Sequence, residues 1–166
     1  MALWRNNILR FIFLVLLQLL LINNLHLFNL CYPCIYVLFL ISLPQTLPRW
    51  AELIIGFLTG LIIDIACNSL GVHCAACTAI SYIRPLLLQK LRLEKKQILS
   101  EPSSKTLGFI TYLKLVAFLV ILHHTLIFTL SAFTWNNWWI TLLQILISSL
   151  VSIVLIIGYD SLVHQV

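Results

Sequence analysis

The side chain most able to carry chemistry is Asp64, a carboxylate within a long apolar stretch of the sequence. Gly56 and Gly60 precede it at intervals of four residues, so the three positions lie on nearly one face of a helix. Two glycines on that face let another backbone approach closely, and a carboxylate there needs a partner, a cavity or a helix end. The stripe is interpreted as internal packing with Asp64 capping a turn, as a dock for a partner protein, or as a proton or ion site.

Cysteines form a second candidate site, because four of the five occur as CxxC pairs: Cys31 with Cys34, Cys74 with Cys77, and Cys67 alone. In a soluble protein this paired spacing would indicate zinc. In an apolar setting cysteine behaves as a small hydrophobic side chain, and an oxidising compartment would favour disulfides. We expect packing and no metal site, with a disulfide or a metal ion as the alternatives.

The adjacent His123 and His124 lie in the middle of another apolar stretch. Neighbouring positions on a helix point about 100° apart, so at most one imidazole is expected to face any given site. A proton relay would need more polar groups at that depth, and only Thr125 and Thr129 lie close in sequence. We therefore expect a structural role for both histidines.

Composition decides the class of protein. The chain has 166 residues, of which 61% are hydrophobic and 9% are charged. A soluble domain of this size cannot bury so much apolar surface, so the sequence predicts an integral membrane protein. The expected fold is all-α, a single domain forming a compact bundle of six transmembrane helices. The predicted spans are Ile8–Ile22, Leu30–Leu43, Ala51–Cys67, Val72–Leu88, Leu107–Phe133 and Trp138–Gly158.

The ten basic residues predict the orientation of these spans. With both termini in the cytoplasm all ten fall on or near one side, and the segments between spans on the other side contain no Lys or Arg. The inner loop, residues 89–106, contains a basic cluster: Lys90, Arg92, Lys95 and Lys96. This cluster is expected either to bind anionic lipid or a cytoplasmic protein, or only to fix the orientation. No nucleic-acid partner is expected.

Catalysis is not expected. The five acids are Glu52, Asp64, Glu94, Glu101 and Asp160, and the predicted topology places Asp64 toward the outer side and the other four at the inner side. No second carboxylate is then available to Asp64 for acid–base work. The sequence also has no phosphate-binding loop, HExxH motif or nucleophile elbow. We expect neither an enzyme nor a cofactor.

One part of the sequence resembles a known family. The stretch PRWAELIIGFLTGLIIDIACNSLGVHCAACTAISYIRP, from Pro48 to Pro85, resembles the signature region of the rod shape-determining protein MreD family. The upstream segments LLQLLLINNLHLFN and YVLFLISLP are similar to the Bacteroidetes form of that family. After Pro85 the similarity rests on hydropathy alone. The residues that carry the resemblance are Gly56, Gly60, Asp64, Gly71, His73, Tyr82, Arg84 and Pro85.

The resemblance implies an inner-membrane scaffold of the machinery that builds the lateral cell wall. Such a protein binds the bitopic protein MreC and, through it, links the MreB filament to the RodA glycosyltransferase and its transpeptidase. The residues expected to bind the partner or pack helices are Gly56, Gly60, Asp64, Gly71 and Arg84. The family's fold is thought similar to the substrate-binding component of energy-coupling-factor vitamin transporters, so the alternative function is a small-molecule-binding membrane subunit.

Overall fold

The computed structural model describes residues 2–20, 31–95, 101–132 and 138–164. All regular structure in these ranges is helical, with no β-strand, which confirms the all-α prediction. Three of the helices, α3, α6 and α7, are long and apolar enough to span a membrane, which indicates a membrane protein. In chain order the helices are α1 (Ala2–Leu20), α2 (Val37–Ile41), α3 (Arg49–Cys67), α4 (Val72–Lys95), α5 (Ser104–Leu107), α6 (Phe109–Ser131) and α7 (Trp138–His164).

The second predicted span is wrong as a continuous helix. Of Leu30–Leu43, only the five residues of α2 are helical, and Leu30 lies outside the described residues. Residues 31–36 are not helical, although all of them except Tyr32 are buried. Pro33 has no amide hydrogen and disfavours helical geometry in the residue before it, so a helix cannot run through residues 31 and 32 into residue 33.

Two further boundaries differ from the predicted spans. Helix α4 includes Pro85 and continues past Leu88, the predicted end of the span, to Lys95. The basic inner loop therefore begins as a helix. The fifth span begins at Phe109 instead of Leu107, because Gly108 adopts a φ of 80° that separates α5 from α6. Ser103 caps α5 by accepting a hydrogen bond from the Thr106 amide.

Helices α3 and α4 form the tightest pair in the fold, an antiparallel hairpin closed by residues 68–71. Asn68 ends α3 in the left-handed conformation, with a φ of 55°, and its amide donates to the Asp64 carbonyl. Gly71 follows with a φ of 90°, which glycine adopts without steric cost. The chain therefore reverses within four residues.

The glycine stripe of α3 faces α4. A Cβ added to Gly60 would lie 2.5 Å from Cys74 Cα and 2.5 Å from the His73 carbonyl oxygen. At Gly56 it would lie 2.8 Å from Ser81 Cβ. Backbone cannot move aside for such contacts. Of the two packing partners that the sequence left open, a helix of this chain or a partner protein, the stripe is occupied by this chain's own α4.

The core lies around α2, whose five residues are all buried. Side chains from the other helices surround it, including Leu14 of α1, Ile80 of α4, Leu119 of α6 and Ile156 of α7. A short helix at the centre of longer ones has no surface of its own to expose. This arrangement explains why hydropathy predicts one apolar span here although only five of its residues are helical.

Replacing Gly60 by alanine is expected to loosen the hairpin. The methyl group would meet α4 backbone at 2.5 Å, and overpacking of this kind costs about 1–3 kcal/mol. The matched control is Gly158→Ala in α7, because a Cβ there meets nothing within 4 Å. Thermal unfolding of the purified protein in detergent measures both variants. Equal melting temperatures for Gly60→Ala and the unchanged protein would contradict the close packing.

Candidate functional site

Asp64 is a cap for the helix that follows it. Its Oδ1 accepts hydrogen bonds from the Ser69 hydroxyl at 2.6 Å and the His73 amide at 3.0 Å. Its Oδ2 accepts from the Cys74 amide at 2.8 Å. The first amides of a helix have no partner within the helix, and a carboxylate near them also complements the helix dipole. Asp64 is thus used inside the hairpin, and capping is the interpretation that its contacts support.

Arg84 is fully buried and holds three parts of the chain together. Its Nη1 lies 3.0 Å from Glu52 Oε2, and both side chains of this ion pair are almost inaccessible to solvent. Its Nε donates to the Ile41 carbonyl at 3.0 Å, and its Nη2 donates to the Leu43 carbonyl. The guanidinium therefore joins α3, α4 and the end of α2. Glu52 is the carboxylate that makes this burial tolerable.

The other predicted site residues are more exposed. Gly71 serves the turn, and a Cβ there would meet nothing within 4 Å. Lys90 is exposed on α4. Arg92 and Lys95 belong to the same helix, but their side chains lie outside the described part of the structure, as does Lys96 altogether. The structure thus brings Gly56, Gly60 and Asp64 together in the hairpin, whereas Lys90 lies 16 residues beyond Cys74 along α4.

The buried non-helical segment, residues 31–36, is fixed by side chains of α1 and α7. The Tyr32 amide donates to Ser148 Oγ and the Cys34 amide to Ser152 Oγ, each at 2.9 Å. Gln18 accepts from the Ile35 amide at 2.9 Å and donates to the Pro33 carbonyl at 3.0 Å. Backbone that leaves a helix at membrane depth is tolerated only where protein or a cavity supplies such partners.

Three aromatic side chains from different elements share one hydrogen-bonded chain. The Tyr36 hydroxyl lies 2.7 Å from His73 Nδ1 and 3.0 Å from His123 Nε2. A hydroxyl donates only one proton, so at most one imidazole accepts from Tyr36 and at least one donates to it. His123 Nδ1 is buried without a partner among the described residues. An unpaired acceptor there costs less than an unpaired N–H, so we infer that His123 donates to Tyr36, which donates to His73.

His124 belongs to the same region through other partners. Its Nδ1 lies 2.9 Å from the Val120 carbonyl oxygen, which can only accept, so the proton of this imidazole is on Nδ1. Its Nε2 lies 3.3 Å from Ser152 Oγ. The two neighbouring imidazoles thus have different partners, as expected for side chains about 100° apart on a helix. Both reach the fixed segment, His123 through Tyr36 and His124 through Ser152.

A cavity of about 560 Å³ opens beside this network. The non-helical segment contributes Tyr32, Pro33 and Cys34 to its wall, and helices contribute His73, His124 and Phe128. Its volume falls within the range of small-molecule sites, and its lining is mainly apolar with a few polar groups. The chemistry available here is hydrogen bonding to a neutral or aromatic group.

The cysteines surround this region without forming a bond or a recognisable metal site. All five are free thiols, and only Cys67 is exposed. Cys31 and Cys34 are not on a helix, although both fall within the second predicted span. Among the described residues no group of three or more His, Cys, Asp or Glu side chains could hold a metal ion. Packing is the interpretation that these contacts support.

The sequence did not identify several residues that make these contacts. They are Glu52 of the Arg84 ion pair, and Gln18, Tyr36, Ser148 and Ser152 of the network around residues 31–36. A signal for some of them exists. Ser148 and Ser152 are four residues apart within an apolar helix and therefore lie on one face. Gln18 is the only residue with a side-chain amide between Asn7 and the end of α1. Tyr36 gives no local signal, because its partners are 37 and 87 residues away in sequence.

Asp64→Ala is expected to destabilise the isolated protein, because the His73 and Cys74 amides lose their acceptor. Loss of a helix cap costs about 0.5–2 kcal/mol. Asp64→Asn retains one carbonyl oxygen and should have a smaller effect. Thermal unfolding without any partner present measures this. An unchanged melting temperature, combined with loss of partner binding in cells, would show that Asp64 acts in docking and not as a cap.

Glu52→Gln is expected to be more damaging, since it leaves the buried Arg84 charge unpaired. Breaking a buried pair from one side costs about 3–5 kcal/mol. The matched control is Glu101→Gln, whose partner Arg10 is 3.3 Å away and partly exposed, and which should cost at most about 1 kcal/mol. The double variant Glu52→Gln/Arg84→Gln should be less destabilised than the sum of its single changes. Additive effects would contradict the pairing.

Comparison with known proteins adds no relative: no family model matches the chain, and no curated protein or solved structure matches it. The resemblance of Pro48–Pro85 to the MreD signature therefore rests on the residues themselves. The structure assigns most of those residues to one unit, the α3–α4 hairpin.

Proposed function

We propose that this chain is a membrane scaffold of the MreD type, which binds an MreC-type bitopic protein and helps to organise lateral peptidoglycan synthesis and cell shape. One observation carries the proposal. Gly56, Gly60, Asp64 and Arg84, which carry the resemblance, all act in building the α3–α4 hairpin and holding it to α2. Such a motif makes the hairpin rigid, and the opposite side of α3 is left to contact a partner protein.

The opposite side of α3 is the partner surface in this proposal. It presents apolar side chains that are between 37% and 74% exposed: Ile54, Phe57, Leu58, Leu61, Ile62 and Ile65. A bitopic partner has one transmembrane helix to dock, and an unpaired helix face of this length matches it. The glycine stripe, which the sequence left open as a docking site, is replaced in this role by the exposed face of the same helix.

The proposed placement is the bacterial inner membrane, with six spans and both termini in the cytoplasm. The positions of three basic residues support this placement. Arg49, at the start of α3, donates to Gln89 near the end of α4, and Lys90 and Lys114 line one groove. These residues lie at the end of the hairpin opposite its turn, as a one-sided distribution of positive charge requires. Anionic lipid at the inner leaflet is the proposed partner of this end.

A second candidate function, a small-molecule-binding membrane subunit of a transporter, is favoured by the cavity beside Tyr36 and His73. A fixed non-helical segment that lines a cavity at membrane depth is typical of transport proteins. This function predicts an ATPase partner and a ligand that co-purifies with the chain. Native mass spectrometry of the purified protein separates the candidates, because the scaffold requires no bound ligand other than membrane lipid.

A photoreactive amino acid at position 57 or 61 tests the scaffold. Crosslinking in cells is expected to capture the MreC-type protein from α3, where Phe57 is 48% and Leu61 is 37% exposed. The matched controls are positions 150 and 154 of α7, where Leu150 and Val154 are 64% and 62% exposed and face lipid in this proposal. Depletion of the protein should also round the cells. Rod shape kept on depletion, or equal capture from both helices, would refute the proposal.

A further inference from the structure

A groove of about 410 Å³ lies between α4 and α6, away from both the hairpin interface and the cavity. Its floor is apolar and is formed by Leu87, Leu91, Leu115 and Phe118. Two basic side chains line it, Lys90 from α4 and Lys114 from α6, and both are exposed. A soluble anion would pair with the two lysines but leave the apolar floor of the groove uncovered. A neutral lipid tail would cover the floor but leave the two lysines without an anion.

The two ammonium groups have no protein counter-charge in the described part of the chain. Neither makes an ion pair with a described residue, since the ion pairs found there join Arg10 to Glu101 and Arg84 to Glu52. Asp64 is engaged by α4 amides. Two like charges beside one groove repel each other, and an anion between them removes that repulsion.

Both lysines lie at the same depth. Both line the same groove, and Lys90 is 18 residues from the first residue of α4, which is about 27 Å along that helix from the hairpin turn. The hydrocarbon core of a bilayer is about 30 Å thick. When the turn end is near one membrane surface, the lysines therefore reach the phosphate level of the other, with the groove floor running into the hydrocarbon.

We propose that this groove binds one anionic phospholipid, with its phosphate between Lys90 and Lys114 and an acyl chain along the apolar floor. Basic pockets between transmembrane helices at the cytoplasmic side bind acidic lipid headgroups in this way. The proposal deepens the membrane placement given above and is independent of MreC. It also adds Lys114, which the basic cluster predicted from the sequence does not contain.

The test is native mass spectrometry of the purified full chain titrated with phosphatidylglycerol or phosphatidylcholine. At about 1 kcal/mol per lysine, each of Lys90→Gln and Lys114→Gln should weaken phosphatidylglycerol binding about fivefold, and the double variant about 30-fold. Phosphatidylcholine binding should not change. The matched control is Lys105→Gln, an exposed lysine of α5 that does not line the groove.

A second pair of variants tests the acyl chain. Phe118→Ser removes the floor of the groove and should weaken both lipids, whereas Ile121→Ser, at a similarly exposed position of α6 outside the groove, should weaken neither. Equal effects of Lys105→Gln and Lys114→Gln would mean diffuse attraction to the surface and would overturn the site. Competition by inorganic phosphate at the lipid's own concentration would overturn it as well. Because no partner is present, these results are independent of crosslinking to MreC.

Discussion

A charged side chain that is buried among apolar helices needs partners within the protein, because burying an unpaired charge is costly. Arg84 is the most demanding case, since a guanidinium cannot lose its charge and carries five donors. Glu52 and the carbonyl groups of Ile41 and Leu43 meet that demand. This one side chain ties the end of α2 to the α3–α4 hairpin, which the glycine stripe and the Asp64 cap also hold together.

The same constraint shapes the other end of the molecule. Residues 31–36 leave the helical conformation, and the amides of Tyr32, Cys34 and Ile35 donate to side chains of α7 and α1. The histidines of α6 then complete the network through Tyr36 and Ser152. Fixing a segment at both of its sides gives a rigid wall for the cavity. Rigidity is what a scaffold and a ligand-binding subunit have in common, so this network alone does not separate the two proposed functions.

How much the sequence could predict depended on whether the signal was local. The bounds of α3 and the start of α7 were predicted within two residues, because long apolar stretches and their polar ends are local features. The glycine stripe was identified by its spacing, and its packing partner was found only in the structure. The second span was wrong as a continuous helix, since hydropathy reports burial and does not report helical geometry. Partners such as Tyr36 and His123 are 87 residues apart, a separation that no periodicity records.

The pairing of Glu52 with Arg84 also has a consequence for how the chain enters a bilayer. Helix α4 on its own carries a charge that hydrocarbon accepts only at a high cost. The neutralising carboxylate is in α3, which is synthesised first and is connected to α4 by a turn of four residues. Insertion of the two helices together, as one unit, avoids exposing either charge to the lipid interior. The short turn thus also matters during insertion, because it keeps Glu52 of α3 close to Arg84 when α4 enters the bilayer.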